Sequence, residues 1–340
     1  AAATALASAQ VDAVAVCFLH SYREPDHERR MRGILEAALP DAYISLSSDV
    51  LPEFREYERM STTALNAYLG PAMADYLEAF FESVTALAPQ LEPYTIHSNG
   101  GLMTAKTVRD YPVRTCLSGP AAGVVGASET ARAAGHAHII TYDVGGTSTD
   151  ISVVRDAKPT FTSDRQVAGF PVRTPMLDIH VIGAGGGSIA WLDEAGGLKV
   201  GPRSAGAVPG PVAYGLGGEE PTLTDANLAL GRLNPKGLLE GAMPIDIDAA
   251  KNAIATKVAV PLGLSVDAAA NGMLEIAVAN MSRAIRSVTT ERGYDMGDFG
   301  LFAYGGAGPL HAADLAVECR IPRIIVPEAP GTMCARGVLL

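Results

Sequence analysis

A chain of 340 residues has room for two domains, and 48% hydrophobic with 19% charged residues is the make-up of a globular protein with a substantial core. Its formal net charge of -11 argues against nucleic acid as the main partner, because binding a phosphate backbone draws on a basic surface. Cys17, Cys116, Cys319 and Cys334 lie far apart with no CxxC spacing, which speaks against a zinc ribbon or a disulfide framework and for reduced, cytoplasmic thiols.

The opening AAATALASAQ lacks the basic and apolar regions of a signal peptide, and no apolar run reaches membrane-spanning length, so no membrane association is expected. That opening, and the apolar close at Gly337-Val338-Leu339-Leu340, read as the cut edges of a longer protein.

Taken in order, residues 11–19 (VDAVAVCFL) have the length and apolar content of a buried strand. Pro25 and the acidic residues after it open a helix that Pro40 stops, and residues 43–50 form a second strand candidate. This strand, helix and strand succession begins an α/β layer. Residues 61–87 carry Leu65, Tyr68, Leu69, Met73, Tyr76, Leu77 and Phe80 at helical spacing, with a kink or break expected at Gly70-Pro71. After a strand at 94–98 and the turn Asn99-Gly100-Gly101, Ser118-Gly119-Pro120 starts a helix. Its small-residue N-terminus suits either an anion, held at Gly119, or close helix packing through Gly123 and Gly126.

Residues 139–154 (IITYDVGGTSTDISVV) carry the densest chemistry. Two β-branched runs flank Gly145-Gly146, a pair that can supply the positive φ of a tight hairpin. An ordinary hairpin needs neither an aspartate at each end nor three hydroxyls in its turn. Backbone amides at Gly145 and Gly146, with Thr147, Ser148 and Thr149, make a donor surface for phosphate oxygens, and Asp143 and Asp150 would hold Mg²⁺ or a water beside it. No lysine follows the glycines, so the cradle is not of the P-loop kind.

A Gly- and Pro-rich section follows over residues 155–235. Asp178 and His180 alternate on one strand face there, a candidate for a further divalent metal or a general base. Helices are expected at 222–230, capped by Thr224 or Asp225, at 246–258 and at 266–290. A strand at 299–304 then meets Gly305-Gly306-Ala307-Gly308-Pro309 and a helix at 310–318, a second glycine turn suited to part of a nucleotide; residues 321–326 form a last strand. His311 is a further candidate metal ligand.

With these motifs in hand, the chain resembles the large subunit of the hydantoinase A / 5-oxoprolinase / acetone carboxylase family. The resemblance is carried in order by FLHSYREPDHERR, SSDVLPEFREYERMSTT, SNGGLM, LSGPAAGVVGA, YDVGGTSTD, LDIHVIGAGGGSIA, VGPRSAGAVPGP, TLTDANLALGRL, TTERGYD and YGGAGPLHA. It implies an α/β, actin-like ATPase (ribonuclease H-like) fold. Residues 1–92 would then be the remnant of a first lobe with its linking helix, and residues 93–340 a second lobe with an insertion at about 155–265.

The resemblance also implies ATP and Mg²⁺, bound through Asp143, Gly145, Gly146, Thr147 and Thr149. The hairpin would be the second of a pair, so this stretch alone would bind ATP weakly and be inactive. The implied activity is ATP-dependent opening of a cyclic amide (hydantoin, 5-oxoproline or lactam) or activation of a small carbonyl compound, with a hydantoinase B-type subunit as partner. A small-molecule kinase or a nucleotide switch on the same fold is the alternative.

Overall fold

The computed structural model describes residues 1–238 and 241–340, which form two compact units. The first comprises Ala1–Ala121 and Phe161–Leu177, the second Ala122–Thr160 and Asp178–Leu340.

In the first unit, α1 (Ala2–Ser8) precedes β1 (Ala13–Val16), which pairs in parallel with β2 (Tyr43–Leu46) across the intervening α2 (Asp26–Ala38). Val14, Val16, Leu35, Leu39 and Leu46 form their common core. The strand expected over 43–50 stops at Leu46, and Ser47–Val50 turns helical. Buried Glu28 explains the stop. Its carboxylate accepts from the Ser47 hydroxyl at 2.7 Å and the Ser48 amide at 2.8 Å, drawing the chain out of the extended form.

The long helix α3 (Glu56–Leu87) runs unbroken through Pro71. Gly70 is there for close approach, since a Cβ would overlap the Tyr43 ring, whose hydroxyl donates to the Arg109 carbonyl at 2.6 Å. Leu77 packs with Met103 and Val108, and Val50 with Val113, Val172 and Met176. These contacts fold residues 93–121 and 161–177, including β3 (Tyr94–Ile96) and β4 (Leu102–Thr104), with the first unit. The division therefore differs from the expected one at residue 92.

α4 (Ser118–Ala133) starts in the first unit and ends in the second. The second unit is organised by a sheet of β5 (Ile139–Val144), β6 (Thr149–Arg155), β7 (Ile179–Ile182), β10 (Gly300–Tyr304) and β11 (Arg323–Ile325), in the order β7-β6-β5-β10-β11, with the short strand Lys158–Pro159 beside β6. β6 is antiparallel to both neighbours, while β5, β10 and β11 are parallel. Between β7 and β10 come the antiparallel pair β8 (Ser188–Leu192) and β9 (Leu198–Ser204) and the helices α5 (Leu223–Ala229), α6 (Ile247–Ile254) and α7 (Val266–Val288). α8 (Gly308–Cys319) follows β10.

Tyr142, Ile151 and Val153 of the sheet pack with Met281 and Ile285 of α7 and Leu315 of α8. A second cluster joins Val200, Leu223 and Ile254 to Met273 and Leu274. The cap of α5 is Thr222, in a reciprocal capping box with Asp225, rather than Thr224 or Asp225 itself. The stretch at 155–265 is thus no single insertion: one part belongs to the first unit, β7 joins the main sheet, and Val200, Leu223 and Ile254 lie against α7. Among the described residues, no single helix is long and apolar enough to cross a membrane.

Candidate functional site

β5 and β6 are the hairpin read from the sequence, and their register sets Asp143 opposite Asp150 and Val144 opposite Thr149. Residues directly opposite in an antiparallel pair share a face, so both carboxylates emerge on the same side of the sheet. The turn closes through the Gly145 amide, which donates to the Ser148 carbonyl at 3.1 Å. Neither Gly145 nor Gly146 has a positive φ, contrary to expectation. A Cβ on Gly146 would meet nothing within 4 Å, and one on Gly145 only the Ser148 carbonyl at 4.0 Å. The fold does not require these two glycines. They leave the backbone bare where a ligand would approach it.

Gly146 and Thr147 are exposed, and among the described residues no intramolecular acceptor takes the amides of Gly146, Thr147 and Ser148. Such a row of free donors fits the oxygens of a phosphate group.

The turn is held from behind by residues 183–188. Gly186 and Gly187 donate to the carbonyls of Gly145 and Gly146 at 3.0 and 2.6 Å, and the Thr149 hydroxyl donates to the Ala184 carbonyl at 2.5 Å. Thr149 is fully buried, so its hydroxyl braces the turn rather than facing outward with Thr147. Gly185 is required by contact, because its Cβ would lie 2.8 Å from the backbone of Thr147 and Ser148. Thr224 secures the brace in turn, its amide and hydroxyl both reaching the Gly186 carbonyl at 2.8 and 2.9 Å.

The second glycine turn meets the first. Ala307 donates to the Val144 carbonyl at 2.9 Å; Gly305, at φ +79°, lies where a Cβ would collide with Asp143, and one on Gly308 would come within 3.3 Å of the Tyr142 carbonyl. Gly306 is exposed with open space around it. Asp143, Asp150, Gly145, Gly146, Thr147, Thr149, Gly305, Gly306 and Gly308 are therefore gathered where β5 and β10 end.

Burial raises the Asp143 carboxyl above its ordinary range, partly offset by the Cys334 thiol, which donates to Oδ2 at 3.3 Å. Burial first, and then the charge of Asp143, push that thiol up to about 12, so it is a neutral donor at physiological pH. No sequence motif flags Cys334; only the fold brings it to Asp143.

Other candidates lie elsewhere. His180 pairs with Ile151, and Val181 with Asp150, which puts His180 on the opposite face of the sheet from Asp143 and Asp150. Asp178 shares that face by alternation, and its carboxylate is ion-paired with Arg292. The two do not join the carboxylates of the hairpin. His180 instead lines a cavity of about 440 Å³ with Asn280, Arg283, Ser287 and Glu291.

Gly119 belongs to the first unit and has open space around it, while Gly123 and Gly126 serve packing: Cβ atoms there would press on Tyr304 and Cys334, and on Met333 and Gly337. His311 is fully buried with neither ring nitrogen hydrogen-bonded, and burial, helped by Arg232, holds its pKa down at about 4.

Among the described residues no three His, Cys, Asp or Glu side chains are grouped to hold a metal. A Mg²⁺ carried by phosphates needs only one or two carboxylates, and the Asp143 and Asp150 pair fits that form of binding.

Comparison with known proteins places the chain in a group. A hydantoinase/oxoprolinase family model matches residues 59–340, and the model of the N-terminal region of that family matches residues 1–39. The chain is 43% identical to the caprolactamase subunit alpha of Pseudomonas jessenii, over 97% of this chain and 48% of that protein. The crystal structure of ATP-dependent caprolactamase from Pseudomonas jessenii superimposes with a TM-score of 0.83 at 43% identity, covering 98% of this chain and 48% of that one. A nucleotide-free acetone carboxylase structure superimposes with a TM-score of 0.87 at 31% identity, covering 99% and 48%. The chain thus spans about half the length of these relatives.

Proposed function

The chain belongs to the hydantoinase/oxoprolinase family, and from that premise we propose that it forms part of the ATP site of an enzyme that opens a cyclic amide or activates a small carbonyl compound. The observation that carries this reading is the β5–β6 turn: bare, exposed and rich in free amides, braced from behind, with two carboxylates on one face beside it. Sheet order β7-β6-β5-β10-β11 with only β6 reversed relative to the other strands supports an actin-like ATPase lobe, whose phosphate turn joins the first two strands.

Phosphoryl transfer is catalysed mainly by positioning and charge neutralisation. The amides of Gly146, Thr147 and Ser148 would hold phosphate oxygens, with the Thr147 and Ser148 hydroxyls as further donors, and Asp143 and Asp150 would hold Mg²⁺, which neutralises charge on the transferring group. The amide oxygen of the substrate attacks the γ-phosphorus, and the bond to the β-phosphate oxygen breaks as ADP leaves. Water adds to the phosphorylated amide carbon, the ring C–N bond breaks as its nitrogen takes a proton, and a second water releases inorganic phosphate from the acyl phosphate that remains. A second, hydantoinase B-type subunit would supply the water-activating half, since relatives are named as subunits.

The deciding experiment is ADP release by the full-length protein with its partner subunit, in the presence of lactams, hydantoins, 5-oxoproline or acetone. Stimulation by one of these is expected. Stimulation by a sugar alone would replace the amidohydrolase reading with that of a kinase.

A further inference from the structure

We propose that Cys334 is a positioning residue for Asp143, and that residues 329–338 are a built part of the phosphate site; this rests on the function proposed above.

The thiol is placed by three separate devices. The Gly305 amide donates to the Pro330 carbonyl at 2.9 Å, fastening the segment to the second glycine turn. The short helix α9 (Met333–Val338) lies against α4 where small residues allow it: a Cβ on Gly126 would lie 3.0 Å from the Met333 carbonyl, and one on Gly337 would overlap the Ala122 carbonyl. At the sulfur itself, Gly123 clears a slot, since a Cβ there would lie 2.9 Å from Sγ and 2.7 Å from the buried Tyr304 hydroxyl. Gly123, Tyr304 and Asp143 thus leave the sulfur little freedom.

Asp143 is squeezed from both sides. Gly305 backs Oδ1 so closely that no side chain fits there, and the thiol caps Oδ2. A lysine or arginine at 334 would neutralise the carboxylate and compete with a bound cation. A thiol fixes its orientation while leaving its charge in place, and as a weak donor it yields readily. Cys334 touches neither substrate nor nucleotide in this role; it acts through the aspartate.

The test uses the full-length protein with its partner subunit. For Cys334→Ala the kcat for MgATP turnover is expected to fall about five- to tenfold with KM within twofold, and Cys334→Ser, which keeps a donor, to recover to within threefold of wild type. A kcat for Cys334→Ala equal to wild type, or a serine variant no better than alanine at matched thermal stability, overturns the proposal.

The S–H stretch of Cys334, isolated by infrared difference against Cys334→Ser, gives a readout that needs no ATP. It is expected at lower frequency in wild type than in Asp143→Ala, and an unmoved band overturns the contact even if alanine proves unstable. A wild-type protein that shows the shift yet hydrolyses no ATP under any substrate overturns the function proposed above, and with it any catalytic consequence of the contact.

Discussion

The turns at Gly145-Gly146 and at Gly305–Gly308 look alike in sequence, each a strand running into glycines, yet their glycines do opposite things. At the first, the Cβ positions face open space and φ is ordinary, so the residues are small for something outside the fold. At the second, Gly305 needs a positive φ and the absence of a side chain to let Asp143 and Val144 pass, and Gly308 is crowded by Tyr142. One turn is bare for a visitor and the other is bare for its neighbours. A glycine-rich motif therefore marks a ligand site only where nothing in the protein already occupies the missing side chain's place.

The comparison can be broken by substitution. The largest effect is expected at the carboxylate both turns share: Asp143→Asn should lower ATP turnover of the full-length protein by more than about a hundredfold. Its melting temperature should hold or rise slightly at neutral pH. A buried carboxyl with a raised pKa loses stability as pH climbs through the interval between its unfolded and folded values, and the amide removes that loss. Calorimetry beside an ATPase assay separates the two.

Gly305→Ala should cost about 2–4 kcal/mol in urea unfolding, from overlap with Asp143 and a disfavoured φ together. A cost near zero would mean the second turn is as open as the first.

On the helix that leaves the second turn, His311 should contribute an acid-sensitive term. It is neutral in the folded state down to about 4, whereas the unfolded residue takes a proton near 6.5. Its stabilisation is complete above about pH 6.5 and is lost as pH falls toward 4, by up to about 3 kcal/mol. His97, held at about 4 by burial and then by Arg114, behaves alike, so His311→Leu should flatten only part of the slope between pH 7 and pH 4.

The smallest change in stability belongs to Gly146→Ala, expected to lie within about 0.5 kcal/mol of wild type or to stabilise slightly. KM for MgATP should nonetheless rise about tenfold. If KM is unmoved, the bare turn is not where the phosphate binds.

The sheet and both turns were legible because each strand is a β-branched or apolar run beside glycine, and α7 because its apolar stripe is long. Their assignment to units was not, since Val172 and Met176 join Val113 and, across more than a hundred residues of chain, Val50. Periodicity cannot report such pairings. Asp178 and His180 share a face as their alternation indicates, but alternation does not tell which face of the sheet that is; pairing with Ile151 decided it. Cys334 carried no signal at all, while Thr222 could have been found from its Thr-x-x-Asp spacing.

The contact of α9 with α4 has a practical side. Because glycine meets backbone there, no side chain can be swapped to repair a poor fit. A chimera that exchanges segments of this chain with those of a relative should carry α4 and α9 together as a matched pair from one parent.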